Sequence, residues 1–355
     1  MKFTIIGAGN GGQSMAAHLT LLGQDVMLYD VQTDLINKIK ENGGIKAEGV
    51  IEGFADITAT TDLEFAMDNS EIIMITTTGT AHKSVAYSIY PYLKDDQIIM
   101  MFPGYWGALE FRNIFDEVGM DKQVYIAETE SLIYACRSLE PGHVQIRGYK
   151  EALEFSTLPS ADAPLVKAKL EKVYPQLIVT DSVLTTTLNN PNPLFHVPIA
   201  LLNTGRIEAD GDFFFYPDGA TPSVVKIIEE IDNERLAIGE KLNIDLSTCL
   251  NILKRFYDVD EDNLYDGLQK NPAYQTGKAP STLDYRYINE DIPYGLYPIA
   301  KLGEKLNVAT PATNTLISLA SLIRNEDLHG KSLQLSDLGL EDKTPEEIAK
   351  YLKGS

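Results

Sequence analysis

Three groups of residues in this 355-residue chain have the types and spacing to do chemistry. The first is Asn189-Asn190-Pro191-Asn192-Pro193-Leu194-Phe195-His196-Val197-Pro198, three Asn and three Pro around one His. Proline restrains the backbone, and Asn offers donors and acceptors that can hold a carboxylate or an amide. A lone His is more often structural than catalytic, but a loop of this composition leading into a helix brings the two readings level. His196 is therefore a candidate catalytic residue. Asn190 and Asn192 either shape the turn, which is the favoured reading, or donate to a substrate.

The second group is Asp284-Tyr285-Arg286-Tyr287-Ile288-Asn289-Glu290-Asp291-Ile292-Pro293-Tyr294-Gly295. Arg286 is one of few arginines in an acidic chain, and a guanidinium between aromatic rings suits bidentate capture of a carboxylate. The competing reading is a surface Arg paired with an acidic neighbour. Asp291 precedes Ile-Pro and is placed to be partly buried, where it needs a partner such as a His. Spacing alone does not join it to His196.

The third group is Gly7-Ala8-Gly9-Asn10-Gly11-Gly12, preceded by the strand-like Lys2–Ile6 and followed by helical periodicity through Met15, Ala16, Leu19 and Leu22. A second strand, Val26–Tyr29, ends at Asp30. Strand, glycine turn, helix and strand-end acid form the dinucleotide-binding pattern. Gly7 permits the tight turn, Gly9 lets backbone approach a pyrophosphate, and Gly12 allows helix and strand to pack closely. Asn10 and Gly11 open the helix, whose N-terminal N–H groups face the phosphates. Asp30 would bind the ribose hydroxyls and repel a 2′-phosphate, and no Arg follows it, so NAD(H) is expected over NADP(H).

These groups need a scaffold. Apolar runs Glu71–Thr76, Gln97–Phe102 and Val124–Ala127 alternate with helical segments, which predicts a parallel, doubly wound sheet. The loops Thr76–His82 and Pro103–Gly107 then lie at strand C-terminal ends, where ligands bind. Thr78 is placed at the cofactor. His82 has two readings, a nicotinamide contact or a polar residue in the first turn of a helix. Gly142–Ile146 and Glu151–Phe155 could extend the sheet, and a helix over Ala163–Tyr174 precedes a strand at Leu177–Thr180. From about Ser182 helical periodicity dominates, with Pro222–Leu242 the longest amphipathic stretch. The expected organisation is an α/β Rossmann-type domain over 1–181 and an all-helical domain over 182–355, with a substrate cleft between them. The run Phe213-Phe214-Phe215-Tyr216 is read as core packing or a subunit interface rather than a substrate pocket.

Composition narrows the function. Fifty-one acidic against 30 basic residues give a net charge of −21, and no basic run appears, which disfavours nucleic acid and anionic lipid as partners. Hydrophobic residues at 44% support a full core. The longest apolar stretches fall far short of a membrane span, and the N-terminus lacks a signal-peptide layout. Two cysteines, Cys136 and Cys249, make no disulfide framework or metal-ligand spacing. A cytoplasmic enzyme without metal is the expectation, and a homodimer is left open.

Gly7–Gly12, Pro103-Gly104, Tyr134-Ala135-Cys136-Arg137, Asn190-Pro191-Asn192-Pro193 running to His196, Gly219-Ala220-Thr221-Pro222, and Arg286-Tyr287 with Glu290–Gly295 occur in one order. In these motifs the chain resembles the octopine/nopaline (opine) dehydrogenases over nearly its whole length. The resemblance implies NAD(P)H-dependent reductive condensation of an amino acid with an α-keto acid through an imine. It makes His196 the catalytic His, Asp291 the Asp that pairs with it, and Arg286 the anchor of a substrate carboxylate that presents the electrophilic carbon to the nicotinamide. Tyr105-Trp106 departs from a Gln-containing loop of some members. Ser131 stands where some have Thr near the keto acid.

Two other functions compete. A 2-keto acid reductase of the ketopantoate type shares the first half but uses a lysine near the active centre, where this chain offers Asn and His. A non-catalytic NAD(H)-binding regulator would bind NADH and turn over nothing.

Overall fold

The structure, a computed structural model, describes residues 1–209 and 212–354. It contains two compact units, one formed by Met1–Thr186 with the segment from Leu352 onward, the other by Thr187–Tyr351.

In the first unit twelve strands are described: β1 (Lys2–Ile6), β2 (Asp25–Tyr29), β3 (Ile45–Gly49), β4 (Gly53–Ala55), β5 (Thr58–Thr60), β6 (Ile72–Ile75), β7 (Ile98–Met101), β8 (Tyr125–Thr129), β9 (Tyr134–Glu140), β10 (His143–Tyr149), β11 (Leu153–Leu158) and β12 (Leu177–Val179). Eight form one sheet in the order β12-β11-β8-β7-β6-β1-β2-β5. All neighbours pair in parallel except β11 with β8. Ile72–Ile75 and Ile98–Met101 are buried at every position, as expected of central strands covered on both faces. Chain order reverses between β1 and β6, so the topological switch point lies at the C-terminal end of β1, where the glycine turn begins.

One expectation is corrected. Gly142–Ile146 does not extend the main sheet: β10 joins a second sheet, ordered β4-β3-β10-β9. Gly44 and Gly49 allow this, because a Cβ there would lie 2.1 Å from the Ala55 and Ile146 carbonyl oxygens. Glu151–Phe155 does lead into a strand of the main sheet, antiparallel to β8.

The second unit is helical. The helix Asn192–Leu202 buries nine of its residues, and Pro222–Leu242 packs its Val224, Val225, Ile228 and Ile231 stripe into the same core. Pro at the start of each of these helices uses a position where the missing N–H has no intrahelical partner to lose. Among the described residues, no helix is long and apolar enough to cross a membrane.

Candidate active site

The glycine turn in the first unit has the geometry its spacing predicts. Gly7 takes φ +102°, and a Cβ on Gly12 would lie 1.7 Å from the Gly7 carbonyl oxygen, so helix Asn10–Leu21 seats directly on the turn. A Cβ on Gly9 would meet nothing within 4 Å. That open space over backbone at the helix N-terminus fits a dinucleotide pyrophosphate. Leu132 closes the Gly11 side, with its side chain 3.1 Å from where a Cβ would stand.

Asp30 accepts backbone hydrogen bonds from Ala8 at 2.6 Å and Gln32 at 2.9 Å. The carboxylate is thus locked at the end of β2, and further lone pairs on its two oxygens suit ribose hydroxyls. Asn10 is engaged within the protein: its Oδ1 accepts from the Ser138 N–H at 2.9 Å. Thr78 is exposed, its hydroxyl 2.8 Å from that of Thr80. Ser131 is buried just beyond β8, and its carbonyl accepts from the Thr129 hydroxyl at 2.8 Å.

His82 is fully buried, edge-on to Phe111, with Nδ1 only 2.7 Å from where a Cβ of Gly107 would stand. Neither ring nitrogen has a hydrogen-bond partner, and burial lowers its pKa to about 4. A side chain with no exposed surface has nothing to present to a nicotinamide. Of the two readings, the nicotinamide contact is replaced by helix-to-helix packing.

In the second unit the two polar clusters come together. Nδ1 of His196 lies 2.7 Å from Oδ2 of Asp291, which is fully buried. Their approach depends on Gly295, where a Cβ would lie 2.4 Å from Pro193 Cγ. The Asp291–Gly295 turn therefore presses onto the Asn-Pro-Asn-Pro turn as no other residue would allow. It continues as a single wide helical turn, Ile292–Leu296, of the π type that recurs at functional sites.

The Asn189–Pro193 turn is held from beneath. Arg235 is buried and pairs with Asp232 through Nε at 3.0 Å and through Nη2. It also donates to the Leu188 carbonyl at 3.1 Å and Asn189 Oδ1 at 3.0 Å. Asn190 Oδ1 accepts from the Asn192 N–H at 3.1 Å, the turn-shaping role expected of it. Its buried Nδ2 has no partner, so the donor reading has a donor to use.

Arg286 pairs with Glu290 through Nη2 at 2.8 Å and Nε at 2.9 Å. Glu290 is buried and Arg286 is 41% exposed, so the guanidinium is oriented at its root and reaches solvent. Both readings of Arg286 have a basis here, the acidic neighbour serving as its orienting partner.

The aromatic run packs largely as expected, with Tyr216 against the same core as Phe213 and Phe215 and with Phe214 exposed. Phe213 and Phe215 are core residues, but the Tyr216 hydroxyl lies 3.1 Å from His196 Nε2. Tyr216 also stacks on Tyr274, with ring centroids 4.0 Å apart, and Tyr287 stacks on His196 at 4.0 Å. A run of four aromatics hides this contact because only the three-dimensional path brings the Tyr216 hydroxyl to His196. Arg235 and Tyr216 carry no sequence signal for these contacts, whereas Glu290 is the acidic neighbour that the competing reading of Arg286 called for.

The family described as NAD/NADP octopine/nopaline dehydrogenase, alpha-helical domain, matches residues 179–324. The N-terminal region of NAD-dependent glycerol-3-phosphate dehydrogenases matches residues 2–104. An opine dehydrogenase from Arthrobacter sp. strain 1C is 35% identical over 96% of both chains. A solved structure of octopine dehydrogenase in complex with NADH and agmatine covers 100% of this chain and 98% of its own, with a TM-score of 0.79 at 19% identity. A ketopantoate reductase from Ralstonia eutropha JMP134 covers 92% of this chain and 99% of its own, with a TM-score of 0.65 at 17% identity. At these identities the two structures speak for the fold.

Proposed function

Because the chain belongs to the opine dehydrogenase family, we propose that it is an NADH-dependent enzyme joining the amino group of an amino acid to an α-keto acid. The amine and the keto acid lose water to form an imine, and reduction of that imine takes up a hydride and a proton to leave a secondary amine. When bound, NADH supplies the hydride.

The single observation that carries this reading is the His196–Asp291 contact at 2.7 Å, in a chain this similar to an opine dehydrogenase. An ionised Asp291 can only accept, so it holds the proton on Nδ1 and leaves Nε2 to exchange protons with substrate. His196 acts as general acid–base: it protonates the departing oxygen of the keto acid and polarises the imine. Arg286, oriented by Glu290, anchors a substrate carboxylate. Asn190, Asn192 and Ser131 supply further polar contacts to substrate.

Residues 1–181 serve the cofactor, through Gly7, Gly9, Asn10, Gly11, Gly12, Asp30 and Thr78, and lend Ser131 to the substrates, which 182–355 otherwise serve. Asp30 favours NAD(H) over NADP(H) by repelling a 2′-phosphate. Small molecules are the partners, and a cytoplasmic site of action suits a reaction that draws on NADH and keto acids.

The test is NADH oxidation by a panel of α-keto acids, each with and without a mixed amino-acid pool. Turnover that requires both establishes condensation. Turnover with the keto acid alone makes the protein a hydroxy-acid dehydrogenase and overturns the reading.

A further inference from the structure

The His196 ring has a second hydrogen-bond partner that no motif announced. Tyr216 Oη lies 3.1 Å from Nε2, the ring nitrogen opposite the one bonded to Asp291. Its position is built rather than incidental. Gly219 ends the short helix Phe215–Gly219, and a Cβ there would lie 2.8 Å from Ile199 Cγ2. Asn203 Nδ2 then ties the Gly219 carbonyl, at 3.1 Å, to the end of the His196 helix. Tyr274 stacks beneath the Tyr216 ring at an interplanar angle of 12°. The hydroxyl is thereby delivered to Nε2 by two separate restraints, one on the backbone and one on the ring.

We propose that Asp291, His196 and Tyr216 form one proton-handling unit, in which the Tyr216 hydroxyl caps Nε2 in the substrate-free protein and donates to the reacting oxygen once substrate takes its place on Nε2. A carbonyl oxygen bonded to Nε2 at about 2.8 Å has a hydroxyl within reach whose hydrogen rotates to meet it. The proton that leaves with the departing oxygen comes from Nε2 of the imidazolium. Tyr216 keeps its own proton and lends only a hydrogen bond. Burial, aided by Tyr287, Tyr257 and Asp291 and opposed by Arg286, raises the phenol well above its ordinary range, so it stays a neutral donor.

The cap works differently on the two states of the ring. Neutral His196 accepts from the hydroxyl at Nε2, whereas the imidazolium donates to the phenol oxygen. In both states the contact joins the same two atoms, Tyr216 Oη and His196 Nε2. The groups facing this pair are Asp291, Arg286, Tyr287, Tyr257 and Tyr274, and Tyr216→Phe changes none of them.

The test has two arms on the full chain. Nitrogen NMR of His196 in the cofactor-free protein reads the cap directly: Tyr216→Phe should move the Nε2 resonance, whose partner is lost, and leave Nδ1, bonded to Asp291, in place. Steady-state kinetics reads the donor, resting on the dehydrogenase reading above: Tyr216→Phe should lower kcat by about 10- to 100-fold, with little change in the amine KM. An unmoved Nε2 resonance overturns the cap whatever the activity. A moved resonance with an unchanged kcat overturns the donor role. If wild-type protein turns over nothing, the dehydrogenase reading fails while the Nε2 resonance still judges the cap.

Discussion

His196 and Asp291 stand 95 residues apart in the chain and 2.7 Å apart in space, joined through Nδ1. That contact fixes which ring nitrogen is available for chemistry. Removing the ring should abolish most of the activity: His196→Ala is expected to cost roughly 10²–10⁴-fold in turnover. A near-wild-type rate in the NADH-oxidation assay would remove His196 from the mechanism.

Asp291→Asn keeps the volume and removes the charge that orients the imidazole. Turnover should fall by about 10²-fold or more while the melting temperature changes little. Asp291→Ala also leaves the buried Nδ1–H without its partner and should cost about 1–3 kcal/mol of stability besides. Equal melting temperatures for the two variants would show that the hydrogen bond carries no stability.

The glycine turn offers a pair of alanine substitutions with opposite signatures. Gly12→Ala drives a methyl into the Gly7 carbonyl and should destabilise the first unit severely. Gly9 has φ −71° and faces open space, so Gly9→Ala should leave melting unchanged while weakening NADH binding. Quenching or transfer of protein fluorescence on NADH titration checks the second half. Undiminished affinity in Gly9→Ala would mean that no phosphate approaches that backbone.

Arg235 is buried against Asp232 and the Asn189 turn. Arg235→Met leaves Asp232 uncompensated and should cost about 3–5 kcal/mol. Arg235→Lys should recover only part of this, because one ammonium cannot reproduce the fork of donors that reaches Asp232, Leu188 and Asn189 together. Denaturant unfolding of the two variants against wild type measures both.

Acid should destabilise the first unit through two histidines. Burial lowers the pKa of both His18 and His82 to about 4, against an ordinary 6.5. Below pH 6.5 the unfolded chain binds protons that the folded chain refuses. Stability is therefore complete above about pH 6.5 and is lost as pH falls towards 4, by about 3 kcal/mol for each histidine. Melting temperature followed against pH should show this slope, and His82→Leu should make it shallower. A slope unaltered by that substitution would mean that His82 does not carry the linkage.

The glycine turn, the alternating strands and the strand-end Asp30 were legible in the sequence because their causes are local. A tight turn, a buried parallel strand and a helix N-terminus each impose residue types on their own few positions. The helix Pro222–Leu242 was legible for the same reason, through its apolar period. Strand β10 was legible as a strand but its sheet was not, because alternation specifies a half-buried strand without naming its neighbours. His82 had two readings because a polar residue at the start of a helix looks alike whether it faces solvent or a neighbouring helix.

The sequence by itself determined the fold class and the cofactor turn, and its motifs singled out His196, Asp291 and Arg286. Only the tertiary structure decided that Gly295 lets the Asp291 turn close onto Pro193, that Glu290 orients Arg286, and that Tyr216 turns towards His196 while Phe213 and Phe215 enter the core. Periodicity and motif report what a residue requires of its own segment. Which side chains meet across 20 or 95 positions depends on how separate segments pack, and close packing around a glycine or a buried carboxylate leaves no periodic trace.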